Sequence, residues 1–413
     1  MTTPLPKPKR KDPVKRTRQP TMPPGNRSRE AQGLASMAAR GRFALQSCAS
    51  CGAVQYPPRQ ICRECLSGDL HWKDVDNGGT LLAETTLQHS NDLFFRDRLP
   101  WRLGVVRSDL NLSMVVHLAE DCVPGERVRL SIGLDRAGNA VMAARPEKPS
   151  PGEEDDIQLR EMTFDPKNRR ALIVDGKTEL GLGFAKALLK RDARAIYVGV
   201  AQPWKASPYL AELRKLDKVT VYDLDVTDTD SVEELAATIG DKVEIMINNS
   251  YHLRPGGLMD RFDINVAHDE MEIHYHGLMR LAGLFGTVMR SRGADGQHSA
   301  VAWLNVLSAY SMVNNPELGT YSASQAAALS LSQCLRAEMT HGGVRVVNAF
   351  LGPIEDEWHQ LALPPKLDPI VTADRIIKGL ERGLEDIPVG AVAEEIIERL
   401  AENPKEIERA IRL

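Results

Sequence analysis

Short apolar stretches alternate with turn residues through the first part of the chain. Residues 28–43 have a helical pattern, with Leu34, Met37 and Ala38 at i, i+3 and i+4 on one face. Four strand-like segments follow, at 80–88, 102–108, 114–118 and 127–132, and they are broken by turn residues at 78–79, 111, 124–125 and 138–139. Short strands at such regular spacing predict a small all-β barrel or sandwich.

From about residue 169 the pattern changes to apolar strands that alternate with helices. The strand segments are 171–174, 195–200, 219–222, 243–247, 300–306 and 344–350. This alternation predicts an α/β domain with a doubly wound, parallel, Rossmann-type sheet over 169–413. Residues 148–168 include a Pro-rich, acidic stretch and are predicted to be the linker, which leaves 28–147 for the small β domain.

Composition narrows the class of protein. A chain of 413 residues is too long for one ordinary core, and 42% hydrophobic with 26% charged residues excludes wholesale disorder. No run approaches the ~20 apolar residues that span a bilayer. No apolar leader segment is found, so we expect a cytoplasmic protein without a membrane segment.

The N-terminal tail, residues 1–27, is basic. The first thirty residues hold nine Lys and Arg against two acids, a net charge of +7, so the rest of the chain carries −11. Seven prolines and few large apolar side chains in this stretch predict a disordered, solvated tail. The alternative is a basic arm for an acidic partner or a nucleic acid, but the −11 balance elsewhere opposes nucleic-acid binding.

Four of the six cysteines form two closely spaced pairs, Cys48-x-x-Cys51 and Cys62-x-x-Cys65. Each pair makes a knuckle that aims two sulfurs at one point, and two knuckles complete a tetrahedral thiolate shell. With four protein ligands the shell is closed, so we predict a structural Zn²⁺ rather than a catalytic one. Redox pairs or plain buried cysteines are the alternative.

The residues around these cysteines resemble the DUF35 family. The resemblance rests on Phe43, Leu45, Gln46, the two CxxC pairs and the run Gln-Tyr-Pro-Pro-Arg at 55–59. It covers roughly 28–147 and implies a helical segment, a rubredoxin-like zinc ribbon and an OB-fold barrel. It also implies association with acyl-CoA and with a thiolase-fold enzyme. OB folds can instead bind single-stranded nucleic acid by stacking its bases on aromatic side chains. Phe94, Phe95 and Trp101 are the candidates for such stacking, and they are equally suited to a hydrophobic core.

Residues 168–400 resemble the short-chain dehydrogenase/reductase family. Asp225 follows the third strand, Asn248 begins Asn-Asn-Ser where the family has NNAG, and Ser308 precedes Tyr321 by thirteen residues. The resemblance implies that Ser308 and Tyr321 occupy the catalytic positions. It also implies which residues would contact NAD(P), namely Gly176, Gly181, Gly183, Asp225 and Asn248.

Several positions depart from that family. Gln325 stands where the family has the lysine that lowers the tyrosine pKa. Four residues rather than three separate Gly176 from Gly181, and the second strand ends without the acid or base that selects NAD or NADP. His274 replaces the family's proton-relay asparagine; it is either a substitute acid–base group or a hydrogen-bonded interior histidine.

These departures predict a non-catalytic or impaired subunit of an acyl-CoA-processing complex, with NAD(P) binding in doubt. The zinc ribbon half would dock a thiolase-fold enzyme. The other half would form homo- or hetero-oligomers, including a pair with an active dehydrogenase relative. The pairing surface would be the apolar faces of two helices near 268–284 and 322–339. These faces carry Ile273, Leu278, Leu281, Ala326, Leu329 and Leu335. The alternatives are an active NAD(P)-dependent 3-hydroxyacyl-CoA dehydrogenase with a docking module, and an OB-fold nucleic-acid-binding protein.

Overall fold

A computed structural model describes residues 22–25, 28–148, 156–160, 164–205, 207–293, 299–360, 362 and 365–410. Nearly all of the predicted tail, 1–27, lies outside the described residues, as do 149–155 and 161–163 of the predicted linker. The described part of that linker is packed rather than loose: helix α3 (Ile157–Arg160) follows the barrel strands, and Leu159 is buried in the barrel core.

The N-terminal half begins with one helix and a small antiparallel sheet. Helix α1 (Arg29–Ala39) starts at Ser28, whose hydroxyl accepts from the Ala31 N–H, and it buries the predicted apolar face. Strands β1 (Ala44–Cys48), β2 (Val54–Gln55) and β3 (Leu70–Asp74) follow in the order β2-β1-β3.

The predicted barrel is closed and has five strands rather than four. They are β4 (Gly78–Leu87), β5 (Trp101–Ser108), β6 (Ser113–Leu118), β7 (Arg127–Leu134) and β8 (Ala140–Pro146), in the order β4-β5-β6-β8-β7. Such a barrel is compatible with an OB fold. Phe94 on the short helix α2 (Leu93–Arg96) and Trp101 are buried and pack edge to face, so these two aromatics belong to the core.

The second half is the predicted parallel sheet, extended by one edge strand. Its strands are β9 (Arg170–Ile173), β10 (Ala195–Val200), β11 (Val219–Asp223), β12 (Ile245–Asn248), β13 (Ala302–Ser308), β14 (Arg345–Leu351) and β15 (Asp386–Val389). The order is β11-β10-β9-β12-β13-β14-β15. Strands β12 and β14 are buried at every residue, as strands covered on both faces should be.

Helices cover both faces of this sheet. One face carries α4 (Glu179–Lys190), α5 (Pro208–Leu213) and α11 (Pro369–Glu381). The other carries α6 (Thr229–Ile239), α10 (Gly319–Thr340), α12 (Ala391–Glu402), α13 (Pro404–Ala410) and a long helix interrupted by two π turns. That helix runs through α7 (Asn265–Met271), a turn at Glu272–His276, α8 (Gly277–Leu281), a turn at Ala282–Gly286 and α9 (Thr287–Ser291). Among the described residues, no helix has the length and apolar character needed to cross a bilayer.

The expectation that the apolar faces of these helices form a pairing surface is wrong for three of the named side chains. Leu278, Leu281 and Leu335 are buried at 1%, 0% and 7% exposure in the core beneath the sheet. The helical period correctly located an apolar face, but the sheet of the same chain already covers it. These three leucines are therefore not available to a partner.

Two buried arginines join the halves. Arg345 on β14 donates to the carbonyl oxygens of Leu134 and Asp135 at the end of barrel strand β7, at 3.3 and 2.7 Å. In return, Arg136 from the barrel donates to the Gly293 carbonyl and to the Ser299 hydroxyl at 2.6 and 2.9 Å. Because both side chains are buried, each arginine satisfies backbone or hydroxyl acceptors that water does not reach.

Candidate functional site

The four cysteines of the two CxxC pairs converge on one point. Their sulfur atoms all lie within 4.8 Å of one another, with 3.5 Å between Cys48 and Cys65 and 3.6 Å between Cys51 and Cys62. The knuckle turns need left-handed backbone at Gly52 and Leu66, with φ of 74° and 63°. A four-thiolate set at this spacing fits a structural zinc ion, as predicted.

The four thiols of the cluster shift one another's pKa values. Burial alone would raise the pKa of Cys48, but the N–H groups of Cys51 and Ser50 and the Cys65 thiol lower it to about 6. The Ala53 N–H lowers the pKa of Cys51, yet the neighbouring Cys65 and Cys62 raise it to about 12. The pKa of Cys48 is thus lowered while that of the neighbouring Cys51 is raised. A divalent ion allows all four to be thiolates.

A second candidate site is a cleft of about 470 Å³ in the α/β half, at the carboxyl ends of strands β12, β13 and β14. Ligands bind at this edge in open α/β sheets. The structure places Ser308, Tyr321 and Gln325 together in the cleft wall. Ser308 ends β13, and the other two side chains lie one turn apart on α10.

Tyr321 is held as a neutral phenol. It is 4% exposed, and burial raises its pKa; hydrogen bonding with Ser308 lowers the pKa only in part, and Asp356 and Glu270 raise it further. The side chain one turn along α10 is an amide, which carries no positive charge to stabilise a tyrosinate. The phenol can therefore donate a hydrogen bond at neutral pH but is a poor base.

Gln325 has a definite structural role in this arrangement. It is 2% exposed, and its Oε1 accepts from the Ser308 N–H at 2.9 Å, which ties α10 to the end of β13. Gln325 also lines the cleft, so its Nε2 amide remains a neutral donor toward a ligand there.

His274 lies beneath Tyr321 and uses both ring nitrogens. Its Nε2 accepts from the His252 N–H at 3.1 Å, so its Nδ1 carries the proton and donates to the Ser324 hydroxyl at 2.9 Å. The Ser324 hydroxyl then donates to the Tyr321 carbonyl at 2.8 Å. This geometry is that of the hydrogen-bonded interior histidine, the second of the two roles considered from the sequence.

Burial and the nearby His252 lower the pKa of His274 to about 3, well below the unfolded value. Between about pH 6.5 and 3 the unfolded chain binds a proton at this histidine and the folded chain does not, so stability falls as pH decreases. We expect the free energy of unfolding to drop by about 2 kcal/mol more between pH 6.5 and 5 in the wild type than in His274→Asn. Urea unfolding at the two pH values measures this; equal drops in both proteins would contradict it.

The three loop glycines are explained by packing. A Cβ at Gly176 would lie 2.3 Å from Val198, one at Gly181 would lie 2.2 Å from the Asp175 carbonyl oxygen, and one at Gly183 would lie 2.9 Å from Ala373. The family motif has three residues between its first and second glycines. If Gly181 is the second glycine, the position of the first is occupied by Lys177. Thr178 caps α4 by accepting from the Gly181 N–H at 3.1 Å, so that donor is already used.

Asp225 bonds within its own loop, and Asn248 bonds to the loop after β12 and to Asn305 on the neighbouring strand, rather than to the cleft. Asp225 accepts from the Thr227 N–H and hydroxyl at 2.9 and 2.6 Å. Asn248 accepts from the Ser250 hydroxyl at 2.9 Å, and neither Asp225 nor Asn248 is among the residues that line the cleft. The next residue, Asn249, does line it and pairs with the Asp175 backbone in both directions, at 2.9 and 2.7 Å.

Several polar side chains in the cleft were not predicted from the sequence. Tyr251 follows β12, and Asp356 and His359 follow β14; all three line the cleft. Their position directly after the carboxyl ends of central strands was the available signal. The cleft is also acidic: one lysine, Lys177, faces four carboxylates, which are Glu179, Glu355, Asp356 and Glu357.

Comparison with known proteins finds two matching family models. Residues 169–362 match the short chain dehydrogenase model, and residues 35–71 match ChsH2, rubredoxin-like zinc ribbon domain. A short-chain dehydrogenase from Penicillium crustosum, PC-15, is 27% identical over 206 residues, 48% of this chain and 71% of that protein. A fatty acyl-CoA reductase from Acinetobacter baylyi is 24% identical over 222 residues, 51% of this chain and 72% of that protein.

Among solved structures, a short chain dehydrogenase from Burkholderia cenocepacia in complex with NADP superposes with a TM-score of 0.55 and 28% identity. The match covers 61% of this chain and all of that one. A short-chain dehydrogenase from Novosphingobium aromaticivorans, with a TM-score of 0.51 and 19% identity over 58% of this chain and 88% of that one, shares the fold.

Proposed function

Because the chain joins a ChsH2-type rubredoxin-like zinc ribbon domain to a short-chain dehydrogenase domain, we propose that it is an acyl-CoA-binding accessory protein without hydride-transfer activity. The observation that carries this proposal is the Gln325 amide, bonded to the Ser308 N–H in place of an ammonium beside Tyr321. Burial raises the pKa of Tyr321 and no neighbouring cation among the residues that the structure describes lowers it, so the phenol is poorly matched to the proton exchange that accompanies hydride transfer near neutral pH.

The cofactor positions support the same proposal. A pyrophosphate seated at the start of α4 would meet Glu179 in the first helical turn and an N–H already capped by Thr178. It would also face the excess of carboxylates in the cleft wall. These residues do not fit a dinucleotide well, and no step of the proposed function uses one.

Acyl-CoA is the proposed ligand because of the zinc ribbon type and the resemblance of the second half to a fatty acyl-CoA reductase. The acyl–pantetheine arm of acyl-CoA is uncharged, so it can enter an acidic cleft that repels phosphates. We further propose that a thiolase-fold enzyme docks on the zinc ribbon half, and that the α/β half joins a homo- or hetero-oligomer.

Calorimetric titration tests the proposal directly. We expect a panel of acyl-CoA thioesters to bind with micromolar affinity, while NADH and NADPH show no binding at millimolar concentration. Oxidation of 3-hydroxyacyl-CoA with either cofactor should remain at the level of the protein-free control. Micromolar binding of NADH or NADPH would contradict the accessory role.

The second candidate function is an active NAD(P)-dependent 3-hydroxyacyl-CoA dehydrogenase. This candidate is favoured by the Burkholderia cenocepacia short chain dehydrogenase, which is 28% identical, was solved in complex with NADP, and is covered by this chain over its full length. In that case Tyr321 would be the acid–base residue, and Gln325 would hold the nicotinamide ribose. The dinucleotide titration and turnover assay above separate the two candidates.

Gln325→Lys tests whether the lysine alone is missing. We expect no gain of turnover, because the loop and the acidic cleft still oppose the cofactor. We also expect a loss of about 1–3 kcal/mol in stability, because the buried Ser308 N–H loses its acceptor. Turnover assays and urea unfolding measure both; Gln325→Glu, which keeps an acceptor, is the matched comparison. NAD(P)-dependent turnover by Gln325→Lys would favour the second candidate.

A further inference from the structure

The cleft contains a carboxylate–histidine pair that hydride transfer does not require. Nδ1 of His359 lies 2.9 Å from Oδ1 of Asp356, and the same oxygen accepts from the N–H groups of Trp358 and His359 at 3.0 and 2.9 Å. The His359 side chain is 8% exposed. The carboxylate is therefore fixed by the backbone, and it in turn fixes the imidazole ring.

The hydrogen bonds determine which ring nitrogen is free. Nδ1 lies 2.9 Å from the Asp356 carboxylate, which can only accept, and 3.3 Å from the Tyr251 hydroxyl; because the shorter contact is to an acceptor, Nδ1 carries the proton and Nε2 keeps its lone pair. Within the part of the chain that the structure describes, no group is hydrogen-bonded to Nε2, and His359 lines the cleft. An imidazole oriented by a carboxylate, with its other nitrogen open to a ligand cleft, has the geometry of a general base.

Neutral hydrogen-bond donors lie across the same cleft. The Tyr321 phenol and the Gln325 amide are both uncharged, and neither can abstract a proton near neutral pH. Tyr251 stands between the two sides: its ring is 6.2 Å from that of Tyr321 and 6.2 Å from that of His359, centroid to centroid. Tyr321 and Gln325 are both buried, and preorganised neutral donors of this kind are suited to hold an oxygen on which negative charge develops.

We propose that this cleft catalyses proton transfer at the carbon next to the thioester carbonyl of an acyl-CoA, with His359 as the base. The α C–H bond breaks and its proton moves to Nε2, while the electron pair of that bond forms the C=C bond of an enolate. The carbonyl π pair moves to oxygen, which accepts hydrogen bonds from Tyr321 and Gln325. Return of a proton from Nε2 restores the thioester, so no oxidant or reductant takes part.

Asp356 is a positioning residue in this reaction, because it acts through the His359 ring. The inference rests on the proposed function for its ligand, an acyl-CoA whose uncharged arm enters the cleft. It goes further by assigning the cleft a redox-independent reaction and by naming the base.

Solvent deuterium exchange tests the inference with the zinc-loaded full-length chain. Butyryl-CoA, octanoyl-CoA and phenylacetyl-CoA are incubated in D₂O, and deuterium at the α carbon is counted by mass spectrometry. The dissociation constant of each thioester is measured separately by calorimetry. We expect the wild type to exchange α hydrogens of every thioester that it binds, well above the protein-free rate.

His359→Gln should reduce the exchange rate by about 10²-fold or more, with the dissociation constant changed less than about threefold. Asp356→Asn keeps an oxygen for the two backbone N–H groups and should lower the rate without changing binding. His341→Gln, a substitution of an exposed histidine at the end of α10, is the matched control and should exchange at the wild-type rate.

Three outcomes would overturn the inference. Binding of acyl-CoA without exchange contradicts it and leaves the proposed function intact. Exchange that persists in His359→Gln contradicts the assignment of the base. Failure of every thioester to bind contradicts both this inference and the proposed function.

Discussion

Replacing Cys62 by serine is expected to release the zinc ion and to unfold the N-terminal sheet. Cys62 is fully buried, and the sheet it supports has strands of only five, two and five residues. So small a sheet has little core of its own, and a four-thiolate zinc site contributes on the order of 10 kcal/mol to the folding of such units. The small sheet should therefore lose nearly all of its folded structure in Cys62→Ser.

Metal analysis and circular dichroism measure this effect. The wild type should contain about one zinc per chain, and Cys62→Ser much less, with loss of strand signal. Chelation of the wild type should give the same spectrum. Cys334→Ser is the matched control, because Cys334 is exposed and lies outside the cluster. A metal-free protein with an intact N-terminal half would contradict the structural role of zinc.

Replacing Arg345 by methionine is expected to uncouple the barrel from the α/β half. The guanidinium donates to carbonyl oxygens of Leu134, Asp135 and Gly383 and lies 4.4 Å over the Phe164 ring. Burial lowers the pKa of Arg345 to about 10, so the side chain is still charged at neutral pH. Methionine fills a similar volume but leaves buried acceptors unsatisfied, at about 1–3 kcal/mol for each one.

Calorimetry should show the consequence as a change in cooperativity. We expect one main unfolding transition in the wild type and two separate ones in Arg345→Met, with the lower shifted down by several degrees. The shift in Arg345→Lys should be intermediate between the wild type and Arg345→Met, because a lysine ammonium cannot contact all of the carbonyl oxygens that the planar guanidinium contacts. Arg375→Met, a substitution on the exposed side of α11, should leave the transition unchanged. A single unshifted transition in Arg345→Met would show that the arginine does not couple the halves.

Local patterns were enough for most of the secondary structure and for the metal ligands. The strand predicted at 195–200 coincides with β10, and the other predicted strands of the sheet differ from the observed ones by a few residues at their ends. The pairs of cysteines could be assigned because a CxxC knuckle is a local structure. No strand was predicted for the small sheet of β1, β2 and β3, and two further strands were missed, β8 in the barrel and β15 in the parallel sheet, which depend on their neighbours. The alanine-rich β8 becomes a strand by pairing with β6 and β7, and the short β15 pairs only with β14.

The sequence by itself determined the two domain types, the cluster of four cysteines and the group of Ser308, Tyr321 and Gln325, because these depend on residue identity at short spacing. Only the tertiary structure decided that Gln325 bonds to the Ser308 N–H and that both ring nitrogens of His274 are hydrogen-bonded, one to a backbone N–H and one to Ser324. The tertiary structure also decided that Leu278, Leu281 and Leu335 are buried against the sheet. It also brought Asp356 and His359 to the cleft and Arg345 to the barrel. Hydrogen-bond partners and burial arise from contacts between distant parts of the chain, which no local pattern of residues specifies.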